Sequence, residues 1–148
     1  MIKNYTSTVP ASRSVANIER RLVSYGATNI IKRYDDKKTL SEICFVVAVN
    51  GKDVPFKLPA KVDSVYKVLT RKVRRPRPGT EDRLREQAER SAWKILADSV
   101  DIDLSLIEIG QVEFMEKFLA YAVVNMNTRE TLYDRLKGTG FKMLEAPK

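Results

Sequence analysis

The stretch Ile43-Cys-Phe-Val-Val-Ala-Val-Asn-Gly-Lys-Asp-Val-Pro-Phe-Lys-Leu58 decides the fold. Ile43, Phe45, Val47 and Val49 alternate with Cys44, Val46 and Ala48, the two-residue period of a strand. Asn50-Gly51 follows, the pair that suits a two-residue type I′ turn because both positions need positive φ. A turn there sets Val49 opposite Lys52, Val47 opposite Val54, Phe45 opposite Phe56 and Ile43 opposite Leu58. Three of these four pairs are apolar on both sides, so turn chemistry and hydrophobic pattern select the same register. Pro55 points to the other face and has no N–H, which predicts an edge strand or a bulge.

Working outward, Thr28 to Tyr34 reads as a further strand and Asp35-Asp36-Lys37-Lys38 as the polar turn after it. Before it, Val15, Ile18, Leu22 and Tyr25 fall on one helical face, with Ser12 or Ser14 as candidate cap and Gly26 as terminator. Arg13, Arg20 and Arg21 lie off that stripe and read as solvated. Pro59 ends the second hairpin strand, and Val62, Val65, Leu69 and Val73 continue at helical spacing. Residues 1–73 thus form an α-β-β-β-α module, and residues 74–79 a basic, Pro-rich connector.

Thr80 is the expected cap of the next helix, with Glu81 and Asp82 in its first turn, where the helix dipole favours acids. Leu84, Ala88, Ala92, Ile95, Ser99, Ile102, Leu106 and Ile109 form an apolar seam ending at Gly110. Ile102, Leu104 and Leu106 alternate as in a strand, but the unbroken seam favours a helix. Trp93 sits beside that seam and reads as a core or interface anchor. Phe114, Phe118, Leu119 and Tyr121 mark a short helix or turn, and Asn127 to Glu130 resembles a capping box. A last helix over Thr131–Lys137 turns Leu132 and Leu136 inward, and Phe141 and Leu144 pack back. The expected fold class is α+β: N-terminal helix, three-stranded antiparallel meander, helix, then a helical half with one long amphipathic helix. Residues 80–148 are a helical extension packed on the module as one globular unit.

Composition narrows the chemistry. With 148 residues the chain can bury a core without metal or disulfide staples, and its single Cys forms no internal disulfide. Without His there is no His-based dyad or triad and almost no route to a zinc site. Cys44 lies among apolar neighbours with no His to activate it, so it reads as a buried structural thiol. Six scattered glycines make no phosphate loop. Asp98, Asp101 and Asp103 invite a metal reading, but on a helix Asp101 and Asp103 diverge by about 200°. No catalytic residues, metal or cofactor are expected. The longest apolar run, Ile43 to Val49, is far too short to span a membrane, and the first residues lack a signal-peptide core. The expectation is a soluble cytoplasmic protein with no membrane partner.

Charge points to a partner. The formal net charge is +8, yet residues 1–94 carry 21 basic and 10 acidic side chains, and residues 95–148 carry 6 and 9. Positive charge peaks in Arg71-Lys72-Val73-Arg74-Arg75-Pro76-Arg77, with Lys67 before it and Arg83, Arg85 and Arg90 after it. Bases gathered this way neutralise backbone phosphates and release counterions, giving affinity without sequence reading. The candidate nucleic-acid-binding residues are Lys67, Arg71, Lys72, Arg74, Arg75, Arg77 and Arg83. No element identifiable as a base reader accompanies them.

The helix–strand–strand–strand–helix order of residues 12–73 is similar to that of double-stranded-RNA-binding domains, whose lysine cluster is here a single Lys61. The meander and following helix also look like the core of single-strand annealing proteins of the Rad52 type. At sequence level the chain resembles small uncharacterised proteins of phages, prophages and integrative elements. The residues involved are Tyr5-Thr-Ser7 with Val9, Ile18, Leu22 and Gly26-Ala27, Phe45-Val-Val47 and Pro55-Phe-Lys-Leu-Pro59. The likeness continues in Arg85 to Arg90, Trp93, and Phe114 to Phe118-Leu119. The resemblance implies a mobile-element setting in a bacterial host and transfers no active residue.

Two functions are expected from these features. One is a non-enzymatic nucleic-acid-binding accessory protein, on DNA in preference to RNA. The alternative is a protein-interaction module, a counter-defence or assembly factor engaging a host or phage protein. It would use the acids of 98–116 and a homo-oligomer paired through the 84–109 helix.

Overall fold

A computed structural model describes residues 1–147. Helix α1 (Ala11–Tyr25) leads into strands β1 (Asn29–Tyr34), β2 (Leu40–Val49) and β3 (Lys52–Pro59). Helices α2 (Val62–Thr70) and α3 (Thr80–Glu108) follow, the latter 29 residues long. The remaining elements are α4 (Phe114–Phe118), β4 (Val123–Asn125), β5 (Glu130–Thr131) and α5 (Leu132–Gly138), with 3-10 turns at Leu119–Tyr121 and Lys142–Leu144. The fold is α+β, and its antiparallel sheet has the order β1-β2-β3.

The hairpin has the register that its turn dictates: Val49 faces Lys52, Val47 faces Val54, Phe45 faces Phe56 and Ile43 faces Leu58. Asn50 and Gly51 take φ of 51° and 78°, the positive values that a type I′ turn requires. Pro55 lies on β3, an edge strand of this sheet, where a missing N–H leaves the ladder least disturbed.

One sheet face makes the core. Ile43, Phe45, Phe56 and Leu58 are fully buried against Ile18 and Leu22 of α1 and Trp93 and Leu104 of α3. Phe45 stacks on Phe56 with centroids 5.2 Å apart, and Phe118 meets Phe45 edge-on at 6.2 Å. Each such pair adds about 1 kcal/mol to what area burial supplies.

Several local expectations are corrected. Neither Ser12 nor Ser14 caps α1; Pro10 precedes the helix, and the buried Ser14 hydroxyl has no hydrogen-bond partner among the described residues. Arg21 is not solvated: its guanidinium meets Asp101 at 2.9 Å and Glu108 at 3.1 Å on α3. Helix α2 stops at Thr70, short of Val73. The seam assigned to α3 is buried at Ala88 and Ala92 but leaves the core further along, where Ile102 and Ile109 are 58% and 72% exposed. The buried positions include Ala88, Trp93, Ala97, Val100 and Leu104. Ser91, Ala92 and Trp93 are consecutive and all buried, spanning about 200° of the helix. Here α1, α2 and the N-terminal segment share the helix, so no single stripe describes it. Trp93 is a core anchor.

The C-terminal half holds more than helix. Residues β4 and β5 form a two-stranded sheet that the hydrophobic pattern does not announce, since each has at most three residues. The capping box belongs to Thr131 and Asp134, not to Asn127 and Glu130. The Asn125 side-chain oxygen instead accepts from the N–H groups of Asn127 and Thr128 and turns the loop. Phe141 lies 5.9 Å from Tyr133, but Leu144 remains exposed. No helix among the described residues is long and apolar enough to cross a membrane.

Candidate nucleic-acid interface

The basic segment joins two helices that pack on each other. Its entry is fixed where Val73 N–H donates to Thr70 O at 3.1 Å, with the Thr70 hydroxyl donating to Lys67 O. Its exit is a tight turn. Thr80 N–H donates to Arg77 O at 3.0 Å, and Gly79 takes φ 84° and ψ −6°, a conformation open to glycine at little cost. Thr80 does not cap α3 as expected; it is the first helical residue, and its hydroxyl accepts from Arg77 N–H at 3.0 Å. The half-buried Val73 and the exposed Pro76 line a cleft of about 270 Å³ with Tyr66 on α2 and Leu84 on α3.

This frame leaves the charges outside. Lys67, Arg71, Lys72, Arg74, Arg75, Arg77 and Arg83 are all exposed. None takes part in any of the ten ion pairs among the described residues. The two other bases near them are committed elsewhere. Arg85 meets Asp63 at 3.1 Å and Glu81 at 3.9 Å and lies 4.0 Å over the Tyr66 ring. Arg90 donates to Ser7 O and to the Gln87 side-chain oxygen, fastening the N-terminal segment to α3.

The acids of 98–116 are spent inside the molecule. Asp98 accepts from Lys94 at 2.6 Å and from Asn4 at 2.9 Å. Burial pushes its carboxyl up, but the Lys94 and Asn4 hydrogen bonds and the charges of Lys94 and Lys3 bring it below the ordinary value. Asp101 and Glu108 hold Arg21, Asp103 faces Lys117 at 3.7 Å, and Glu113 and Glu116 cap α4. Among the described residues no group of three or more His, Cys, Asp or Glu could hold a metal ion.

Cys44 is half-buried on the sheet face opposite the core. Its thiol donates to Glu42 and accepts from Arg129, each at 3.3 Å. Burial raises its pKa; the Arg129 hydrogen bond opposes that shift, and Glu42 reinforces it. A thiol so held is a poor nucleophile.

A second basic feature escapes the sequence reading. Lys57, Lys61 and Lys137 line a groove of about 690 Å³ with Tyr121 and Tyr133. These residues come from β3, the start of α2, the 3-10 turn and α5, so no sequence window contains them. No family model matches this sequence, and no curated protein or solved structure matches it either.

Proposed function

We propose that the chain is a non-enzymatic nucleic-acid-binding accessory protein that takes the phosphate backbone on Lys67, Arg71, Lys72, Arg74, Arg75, Arg77 and Arg83. One observation carries this reading: seven exposed cations crowd the junction between α2 and α3, and among the described residues no carboxylate within 4.0 Å neutralises any of them. Uncompensated charge of one sign attracts a polyanion over about 8–10 Å at ordinary salt. Phosphate contact of this kind gives affinity without sequence specificity. DNA is preferred over RNA as partner, and the setting proposed is a phage or mobile element in a bacterial cytoplasm. Both rest on the sequence resemblance alone.

The protein-interaction alternative draws less support. The carboxylates it needs are occupied by Lys94, Arg21, Lys117 and the α4 cap. Much of the helix it would pair between subunits already packs inside the chain.

The test is a binding titration with duplex and single-stranded DNA at low salt, using wild type and the triple variant Arg74→Glu, Arg75→Glu, Arg77→Glu. Wild type binds in the micromolar range or tighter, and the variant loses at least about tenfold. Absence of wild-type binding, or equal binding by the variant, refutes the proposal.

A further inference from the structure

The groove between the sheet edge and the C-terminal helix has the composition of a single-strand site. Tyr121 and Tyr133 are 39% and 48% exposed, so each offers ring surface to solvent. Lys57, Lys61 and Lys137 line the same groove, and none is in an ion pair among the described residues. Of the carboxylates present, Glu42 is paired with Arg129, while Asp134 accepts from Thr131 N–H at 3.0 Å and keeps its charge, leaving the groove a net excess of lysines. Lys57 donates one hydrogen bond, to Arg129 O at 3.1 Å, and with Lys61 it acts on the Asp134 carboxylate through space without an ion-pair contact among the described residues, so three lysines face one unpaired carboxylate. Aromatic rings beside unpaired cations form the pattern that holds unstacked bases, each ring taking a base face and each cation a phosphate.

Helix α2 links the groove to the junction. Lys61, Ser64, Lys67 and Arg71 are all exposed at spacings of three, three and four, so they follow one face of the helix. Nine helical residues separate the two sites by about 14 Å along the axis.

We infer that Tyr121 and Tyr133, with Lys57, Lys61 and Lys137, form a binding site for single-stranded nucleic acid whose backbone continues along α2 to the arginines of 71–77. The inference rests on the nucleic-acid reading above and adds strandedness and a base-stacking site. Paired bases in a duplex present no free faces, so duplex binding uses the arginine junction alone.

The experiment measures binding of about 12-nucleotide single strands, a length within known single-strand site sizes. A duplex of equal length serves as comparison, and 2-aminopurine in the single strand reports stacking. The proteins are wild type, Tyr121→Ala with Tyr133→Ala, and Tyr121→Phe with Tyr133→Phe. The alanine pair should lose at least about tenfold on single strands and the 2-aminopurine quench, with duplex affinity unchanged. The phenylalanine pair keeps the ring and should bind as wild type, which separates stacking from misfolding. Equal loss on both nucleic acids, or no loss by the alanine pair, overturns the groove and leaves the arginine junction standing. Loss on single strands by the alanine pair but not by the triple arginine variant supports the groove and overturns the continuation of the strand to the arginines. If wild type binds neither form, both readings fall.

Discussion

Arg129 reaches across the outer face of the sheet to the carboxylate of Glu42 and thereby ties the β4–β5 loop to β2. The same guanidinium donates to the Cys44 thiol, and the Arg129 carbonyl accepts from Lys57. Burial lowers the tendency of Arg129 to hold its proton, but the hydrogen bonds to Glu42 and Cys44 more than offset it. One residue thus joins the two sheets.

The Glu42 side chain is only 14% exposed, so removing its partner leaves a charge in poor solvent. Arg129→Met should cost about 2 kcal/mol in urea unfolding, between the values for exposed and buried pairs. Adding Glu42→Gln should restore part of the loss. A loss below about 0.5 kcal/mol would mean that the pair is only a surface contact.

Asp98 makes acid stability depend on pH. Its folded-state pKa lies below the ordinary aspartate value, so its contribution is complete above the unfolded value and lost as pH falls through the folded one. Asp134 acts in the same window, depressed by hydrogen bonds with the Thr131 backbone and hydroxyl. Unfolding midpoints followed from about pH 6 to pH 2 should fall below about pH 4, and Asp98→Asn should flatten that limb. An unchanged limb in the variant would show that Asp98 does not hold the N-terminal segment.

Trp93 is fully buried, and its indole N–H has no hydrogen-bond acceptor among the described residues. Trp93→Ala should cost about 3–5 kcal/mol through the cavity it leaves. Trp93→Phe removes the unsatisfied donor, worth about 1–3 kcal/mol, and should therefore cost clearly less. Chemical denaturation of the two variants distinguishes these outcomes, and equal losses would mean that the N–H is satisfied.

The junction should also be countable. Each of Arg74→Gln, Arg75→Gln and Arg77→Gln should reduce the slope of log affinity against log salt by about 0.9 on duplex DNA. Additive reductions place one phosphate on each arginine. A slope that does not move for one variant removes that residue from the interface.

The hairpin was legible because Asn50-Gly51 and its flanking apolar pairs carry the same information twice. The extent of α3 is legible too, and its buried face is legible at Ala88 and Ala92 but not toward Ile102 and Ile109. Arg21, Tyr66 and Asn4 approach it from three separate segments, so periodicity within the helix cannot rank their claims. Thr80 looks like a cap in the sequence, but its hydroxyl serves the preceding turn, which Gly79 closes in the left-handed conformation. The arginine cluster was visible because it is contiguous in the chain. The groove was invisible for the opposite reason: Lys57 and Tyr133 meet only after the sheet and the last helix have formed.

The fastening of the connector at both ends bears on how tightly it can hold a partner. With Val73 tied to Thr70 and Arg77 tied to Thr80, both ends of the short main chain carrying Arg74 and Arg75 are fixed before any encounter. Association then has to order only the few residues between those ties and the guanidinium arms, the latter at about 0.5–1.5 kcal/mol for each. A turn that looks like mere punctuation between two helices therefore works as preorganisation.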